Sequence, residues 1–395
     1  MPAYRTLTAI VVSAFAVSLG CSSKEMNPSD DNQLVLDPLT DRNATTLTVN
    51  LHRNLWNLMD KGTMFGAQIP TLYGLDGGSR WFDDGSISNS DTKFLTGSHP
   101  AVCGWELSGI EVGDLYNIDG EDFNDVRKHI KAAFRRGAVN TISWHCHNPV
   151  TDGNSWDNTR AVYAIIPGGY LNAKFNGYLD RVADFISSLT NDDGELIPVI
   201  FRPWHEHTGA GFWWGKGNAS MEEFVALWEY TVKYLRDTKG LHNLIWAYSP
   251  DMTHISSRTD YLEYWPGDDY VDILGLDAYD RDGADYGHKC LQLVRLANVI
   301  AKEKHKMFAL TETGLENNNP EESSYYNRKW WTQMLWSVVK KQRVSFALVW
   351  RNGDLPRNGG HYFNAWRGCY SEDDFKAFAS KDDVLLEVDL PDMYQ

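Results

Sequence analysis

IPVIFRPWHEHTGAGFWWG, residues 197–215, begins as one kind of chain and ends as another. Ile197–Phe201 is apolar and partly β-branched, the composition of a strand buried on both faces. Within six further residues come Arg202, His205, Glu206 and His207, set among Trp204, Trp213 and Trp214. A core strand has no need of that polar cluster. A solvated loop has no need of three tryptophans. A buried strand that delivers charged and aromatic groups at its carboxyl end is what a parallel α/β sheet provides.

The same pattern recurs along the chain. Short apolar runs, expected as strands, occupy residues 64–68, 102–106, 139–144, 197–202, 244–249, 271–277, 308–313 and 346–351. Amphipathic stretches expected as helices lie between several of them, at 122–136, 171–189, 221–238, 288–304 and 323–341. Ser220 with Glu223 has the spacing of a capping box. Eight buried strands alternating with helices predict an α/β fold, a (β/α)8 TIM barrel, as a single domain over residues 41–390. A doubly wound sheet would show a glycine-rich phosphate turn after the first strand, and none is there.

Composition narrows the chemistry. The 395 residues carry a formal net charge of −16, which argues against nucleic acid and other acidic polymers and favours a neutral partner. With 16 Trp and 19 Tyr, aromatic residues exceed what packing ordinarily needs. Exposed aromatic faces are the surfaces on which sugar rings rest, although part of this excess is ordinary core.

The N-terminus reads as an export signal. Arg5 precedes an apolar run from Leu7 to Leu19, too short to span a bilayer, and Gly20-Cys21 follows. This resembles a lipoprotein signal peptide over residues 1–21 with Cys21 lipidated, then a polar tether over 22–40. The expected location is the outer membrane of a Gram-negative cell, on its periplasmic or cell-surface side. The only membrane contact would be through Cys21, and the protein is expected to be a monomer. Cys103, Cys146, Cys290 and Cys369 remain, and the sequence does not choose between disulfides and buried thiols.

In a barrel, chemistry gathers where the strands end. Those ends here carry SWHCHN (143–148), FRPWHEH (201–207), WAYSPD (246–251), GLDAYD (275–280), TETG (311–314) and VWRN (349–352). Glu206 follows the fourth strand and Glu312 ends the seventh, so both face one mouth. Two carboxyl groups across a neutral substrate suit glycosidic cleavage. Glu206, among tryptophans, should be desolvated and stay protonated as the acid/base. Glu312, with Arg202 and Tyr279 placed to hydrogen-bond it, should stay ionised as the nucleophile.

RPWHEH with its following FWWG, SWHCHNP, GLDAYD, TETG and VWRN together resemble glycoside hydrolase family 26, in that family's order, over about residues 45 to 385. The family is mostly β-mannanases in a clan of retaining (β/α)8 enzymes, which implies endo-acting or mannobiose-releasing cleavage of β-1,4-mannan. The resemblance assigns Glu206 as acid/base and Glu312 as nucleophile, as the surroundings do. It places His145 and His205 on the sugar at the cleavage subsite, Tyr279 on the nucleophile and Trp350 as a platform. Trp213 or Trp214 would wall the leaving-group side. No cofactor and no metal are implied, and the partners are β-mannan and its oligosaccharides.

Other readings compete. The His145-x-His147 and His205-x-His207 pairs suggest a metal, but the remaining strand ends do not complete a ligand set. A glycan-binding lipoprotein would need the aromatic platforms but not both Glu206 and Glu312. A mixed-linkage β-glucanase or a β-1,3-xylanase would keep the mechanism and change the polymer. Finally, the segment 148–170, with Trp156, Arg160 and Tyr163, and the loop 73–96, with Trp81 and Phe82, could wall off the glycone end. Open groove and blocked cleft both stand at this point.

Overall fold

The computed structural model describes residues 34–281, 286–316, 327–353 and 362–395. Val35–Gln395 forms one compact unit. The expected signal segment 1–21 and most of the expected tether lie outside the described residues.

Eight parallel strands close on themselves: β1 (Thr63–Gln68), β2 (Val102–Glu106), β3 (Val139–Trp144), β4 (Val199–Pro203), β5 (Leu244–Tyr248), β6 (Ile273–Asp280), β7 (Met307–Leu315) and β8 (Phe346–Val349). Closure is direct, with Met64 opposite Phe346 and Ala67 opposite Val349. The expected (β/α)8 barrel is therefore the fold. Every residue of β1 through β5 is buried, which is why these strands read as apolar runs rather than as alternation.

Inside the barrel the period of two still operates. Met64, Val102, Val139, Ile200, Ile245, Ile273, Met307 and Phe346 form one inner cluster. Continuing that inward face two residues at a time reaches Ser143 and His145 on the third strand, Arg202 on the fourth and Trp350 on the eighth. β7 breaks the rule. Leu276 pairs with Leu310 but Asp277 pairs with Glu312, so one extra residue is inserted there. The bulge brings Glu312 opposite Asp277, while Thr311 Oγ1 also reaches the Asp277 carboxylate at 2.7 Å. Gly275 makes room below: a Cβ there would meet Thr311 Oγ1 at 2.7 Å and Ser249 Cβ at 2.8 Å.

The surrounding helices include Phe123–Arg135, Asn172–Ser187, Met221–Lys233 and Tyr286–Glu303. The capping box at Ser220 and Glu223 is formed in both directions. The stretch expected as one helix over 221–238 changes to π-type turns at Tyr234–Thr238. Of the helix expected over 323–341, residues 323–326 lie outside the described residues, and the rest is a π turn followed by Trp336–Val339. One helix absent from the sequence-based expectation, Thr46–Leu58, seals the bottom of the barrel with Leu51, Leu55 and Leu58. Its apolar residues fall at i, i+4 and i+7, a stripe legible in the sequence but preceding the first strand.

The last residues of the expected tether do not hang free. Leu39 is buried, and the Asp37 N–H donates to the His305 carbonyl at 2.9 Å. Met393 and Tyr394, beyond the expected domain end, are buried as well. The apolar side chains of both segments extend the bottom plug, so the packed unit is longer at each end than 41–390. Cys103, Cys146, Cys290 and Cys369 are all buried and unpaired.

Candidate active site

The chain leaves β4 through a sharp turn. Trp204 and Glu206 adopt left-handed backbone conformations, with φ of 53° and 51°. Residues other than glycine enter this region at a cost of about 1–3 kcal/mol, met by surrounding structure. Here the Glu206 N–H donates to the Ser249 carbonyl at 2.8 Å, fixing the turn to the end of β5. The Trp204 indole is pinned from below by Thr231 Oγ1 at 3.1 Å.

Glu206 and Glu312 line the same cleft of about 420 Å³, a size suited to a small number of sugar units. Tyr279, His145, Trp156, Phe212 and Trp350 form the walls around them. Ile118, Asp119, Arg351 and Phe363 line one further part of the cleft, and Arg281 and Glu316 another.

Arg202 lies beneath this surface, almost fully buried. Its guanidinium reaches Asp277 Oδ2 at 2.9 Å and Ser249 Oγ at 3.1 Å, and it also donates to Glu312 Oε1. The Tyr279 hydroxyl donates to the other Glu312 oxygen at 2.5 Å. Both oxygens of Glu312 are thus met by donors, one charged and one neutral, an arrangement that suits a carboxylate.

One guanidinium serves several acids, and the others respond. Burial and the neighbouring Glu312 charge push the Glu206 carboxyl well above the usual carboxylate range. Burial pushes Asp277 up to about 8, against the opposing pull of Arg202. Burial and the Glu312 charge both favour the protonated form of Glu206.

That has a consequence for stability. In the unfolded chain Glu206 ionises near its ordinary value of 4.5, whereas the folded protein keeps the proton. Unfolding then releases a proton, so the contribution of this group to stability is greatest below pH 4.5 and declines as pH rises toward the raised folded value. Glu206→Gln is neutral in both states. It is expected to be more stable than the parent at pH 7, with the gain fading below about pH 4.5. Urea melts of both proteins at pH 4 and pH 7 check this. An equal difference at the two values would contradict it.

His145 is tied to a second buried acid. Glu106, at the end of β2, accepts from the His145 and Ser108 backbone N–H groups at 2.8 Å each. It takes the Ser143 hydroxyl at 2.6 Å and faces His145 Nδ1 at 2.8 Å. Burial works against the charged imidazole, but Glu106 outweighs it and the His145 pKa rises. His205 sits with Nε2 3.1 Å from His145 Nε2. Burial and the His145 charge push His205 well down, which favours a neutral ring beside His145.

The expected site residues thus separate into groups. Glu206, Glu312, His145, Tyr279, Trp350 and Trp156 line the cleft. Arg202 and His205 do not; each sits one layer behind the residue it contacts. Trp213 and Trp214 are fully buried, in place of the expected wall. Their indole N–H groups donate to the Cys146 and His205 carbonyls at 2.9 Å, and both rings pack against Trp204. Phe212, one residue earlier, takes the wall, stacking on Trp214 at 4.5 Å and meeting Trp156 at 5.7 Å. Arg160 points outward: it pairs with Glu223 at 3.0 Å and lies over Tyr163. The helix cap claims it, and it is not among the residues that line the cleft. Trp156 stacks against His145 at 5.5 Å, close to the centre of the cleft.

His147 pairs with Glu111, not Glu106, and His207 is enclosed by Phe224, Tyr248 and Tyr264, so the four histidines do not converge. Several groups escaped the sequence reading. Asp277 and Arg351 lie inside motifs already noted, each beside a residue that was read, and Phe212 lies within FWWG. Glu106 is the last residue of β2. Asp119 sits in a loop with no local signal, and only the fold brings it to Arg351, 2.5 Å away.

Comparison with known proteins agrees with this architecture. The model of glycosyl hydrolase family 26 matches residues 40–337. A mannan endo-1,4-beta-mannosidase of Bifidobacterium adolescentis is 34% identical over 361 residues, covering 88% of this chain and 35% of that protein. One of Bacillus subtilis strain 168 is 32% identical over 251 residues, 60% of this chain and 64% of that protein. The chain therefore spans less than two thirds of the length of these two relatives. Among solved structures, a GH26 beta-mannanase from Bacteroides ovatus superposes with a TM-score of 0.82 at 38% identity, over 89% of this chain and 98% of that one. A modular endo-beta-1,4-mannanase from Cellulomonas fimi gives 0.81 at 34% identity, over 91% and 79%. The chain belongs to glycosyl hydrolase family 26.

Proposed function

We propose that this protein hydrolyses β-1,4-mannosidic bonds in mannan, galactomannan or glucomannan, with retention of anomeric configuration. The observation that carries the reading is the pair of carboxyl groups in one cleft, held in opposite ways. Glu206 is kept protonated by burial and by the charge of Glu312, while Glu312 receives donors on both oxygens. Relatives named as mannan endo-1,4-beta-mannosidases support the choice of polymer.

In the first step Glu312 attacks the anomeric carbon, and Glu206 gives its proton to the departing glycosidic oxygen. A glycosyl ester on Glu312 results, and the leaving chain departs with a new hydroxyl. Glu206, now a carboxylate, takes a proton from water as that water attacks the same carbon. The ester bond breaks, Glu312 is released and Glu206 is protonated again. Arg202 and Tyr279 hold the nucleophile in position, and Trp350 offers an aromatic face to the sugar being cleaved. His145, held by Glu106 at one ring nitrogen and His205 at the other, lines the cleft beside that sugar.

The test is a time course on linear mannan and short β-1,4-manno-oligosaccharides, with products sized and their anomers followed by NMR. Products appearing first as the β-anomer are expected. The α-anomer would overturn the double displacement. Cleavage of mixed-linkage glucan or β-1,3-xylan but not mannan would keep the chemistry and change the substrate. Folded protein that binds mannan without cleaving it would leave a glycan-binding module. Mixed oligosaccharides early would mean an open cleft and endo action. Mannobiose alone would mean release from chain ends.

The export reading belongs here too: a monomeric outer-membrane lipoprotein anchored through Cys21. Palmitate labelling that is lost in Cys21→Ser checks the anchor.

A further inference from the structure

The cleft meets a neutral polymer, yet part of its lining is an ion pair that the mechanism above does not use. Arg281 Nε donates to Glu316 Oε2 at 2.8 Å. The two side chains are 56% and 28% exposed, so the pair is open to whatever enters. An isolated surface pair of this kind contributes little to stability. Its position is more specific than its strength. Arg281 follows β6 directly and Glu316 follows β7, where the Glu316 N–H still donates to the Asp280 carbonyl at 2.9 Å. The guanidinium lies 5.6 Å over the ring of Tyr279, the residue that donates to Glu312. Both members of the pair line the cleft with Glu206 and Glu312.

The bond to Glu316 uses Nε alone, and the two terminal nitrogens have further N–H groups to give. Glu316 in turn has oxygens that accept. A planar donor next to a carboxylate matches a vicinal diol, in which one hydroxyl receives and the other gives. Each interior unit of a β-1,4-linked hexose chain carries such a pair at O2 and O3.

The side of the cleft follows from the strand order. Trp350, the platform assigned to the sugar being cleaved, follows β8, and Arg281 follows β6, with β7 and its Glu312 between them. Arg281 and Glu316 thus line the flank of the cleft away from that platform, toward β5 and the Glu206 turn tied to it.

We propose that Arg281 and Glu316 form a binding subsite for the leaving-group sugar, reading a 2,3-diol of the unit that departs when Glu206 donates its proton. This rests on the hydrolase reading above. The subsite would orient the aglycone so that the glycosidic oxygen meets Glu206, and would do nothing for a leaving group that is not a sugar.

The experiment compares kcat/KM of the full-length protein, Arg281→Met and Glu316→Gln on mannotetraose and on 4-nitrophenyl β-mannobioside. Both substrates offer sugar to the glycone side, but only the first offers it to the leaving side. Each variant is expected to lose about tenfold more on mannotetraose than on the aryl substrate. Glu316→Gln matters because it leaves the Arg281–Tyr279 stack in place. Equal losses on the two substrates, whether negligible or large, would overturn the subsite while leaving the hydrolase reading intact. Parent protein inactive on both would overturn both readings.

Discussion

Glu312→Ala is expected to lower kcat on β-1,4-mannan by about 10⁴-fold or more, with the protein still folded. The fold should tolerate the change because Arg202 keeps its 2.9 Å contact with Asp277. Removing Glu312 also relieves the crowding of acids that now forces Glu206 and Asp277 upward. Glu206→Ala is expected to fall by about 10²–10⁴-fold on mannan, and far less on an aryl glycoside whose leaving group needs no proton. Azide separates the two roles further. Added to Glu206→Ala with an activated aryl β-mannobioside, it should attack the glycosyl ester and give the β-azide. Added to Glu312→Ala, it should enter on the face that the nucleophile vacated and give the α-azide. NMR of the azide products reads this directly, and exchanged configurations would reverse the two assignments.

The second large effect is expected at Arg202. Arg202→Met leaves Glu312 and Asp277 buried together, beside Glu206, without their guanidinium. Removing one member of a buried charge cluster costs about 3–5 kcal/mol. The carboxyl groups that remain would take up protons in the folded state and lose them on unfolding. Folded values raised above the ordinary 3.8 and 4.5 mean that the destabilisation is least below about pH 4 and grows as pH rises. A nucleophile that holds its proton is also a poor one, so kcat at pH 7 should fall by about 10³-fold. Arg202→Lys restores a charge but not the fork that spans Ser249, Asp277 and Glu312. It should recover more stability than rate. Urea midpoints against pH, with kcat measured on the same samples, test the prediction. A Lys variant with full activity would show that charge alone matters.

Much of the fold was legible because each barrel strand is buried on both faces. Val102–Glu106 and Val139–Trp144 have nothing polar to solvate until the chain reaches the rim, so their bounds are plain in the sequence. Boundaries blurred where the rim itself is apolar or hydrogen-bonded. β6 and β7 run on to Asp280 and Leu315 because their final residues continue to pair with each other. The helix Thr46–Leu58 was missed because it precedes the alternation of strand and helix and works as a plug.

In the site, residue types were legible and depth was not. Arg202, His205, Trp213 and Trp214 look as prominent in the sequence as Glu206, yet all four lie behind the cleft surface. Phe212 was passed over beside two tryptophans, although of the three rings it is the one that lines the cleft. Periodicity alone does not separate the residue that touches a ligand from the one that supports it.

By itself the sequence determined the barrel, through eight apolar runs of strand length, and the cluster of acids and aromatics at their carboxyl ends. It did so because burial on both faces and chemistry at strand ends are local properties, written in consecutive residues. The tertiary structure decided which acids meet. From Met307 and Ala309, strict alternation carries the inward face to Thr311 and Thr313 and would turn Glu312 away. The bulge in β7 undoes that and sets Glu312 opposite Asp277, within reach of Arg202 and Tyr279. The left-handed turn at Trp204 and Glu206 likewise depends on the Ser249 carbonyl of the neighbouring strand. A bulge and a strained turn are held by partners distant in sequence, and so their positions emerge only when the barrel closes.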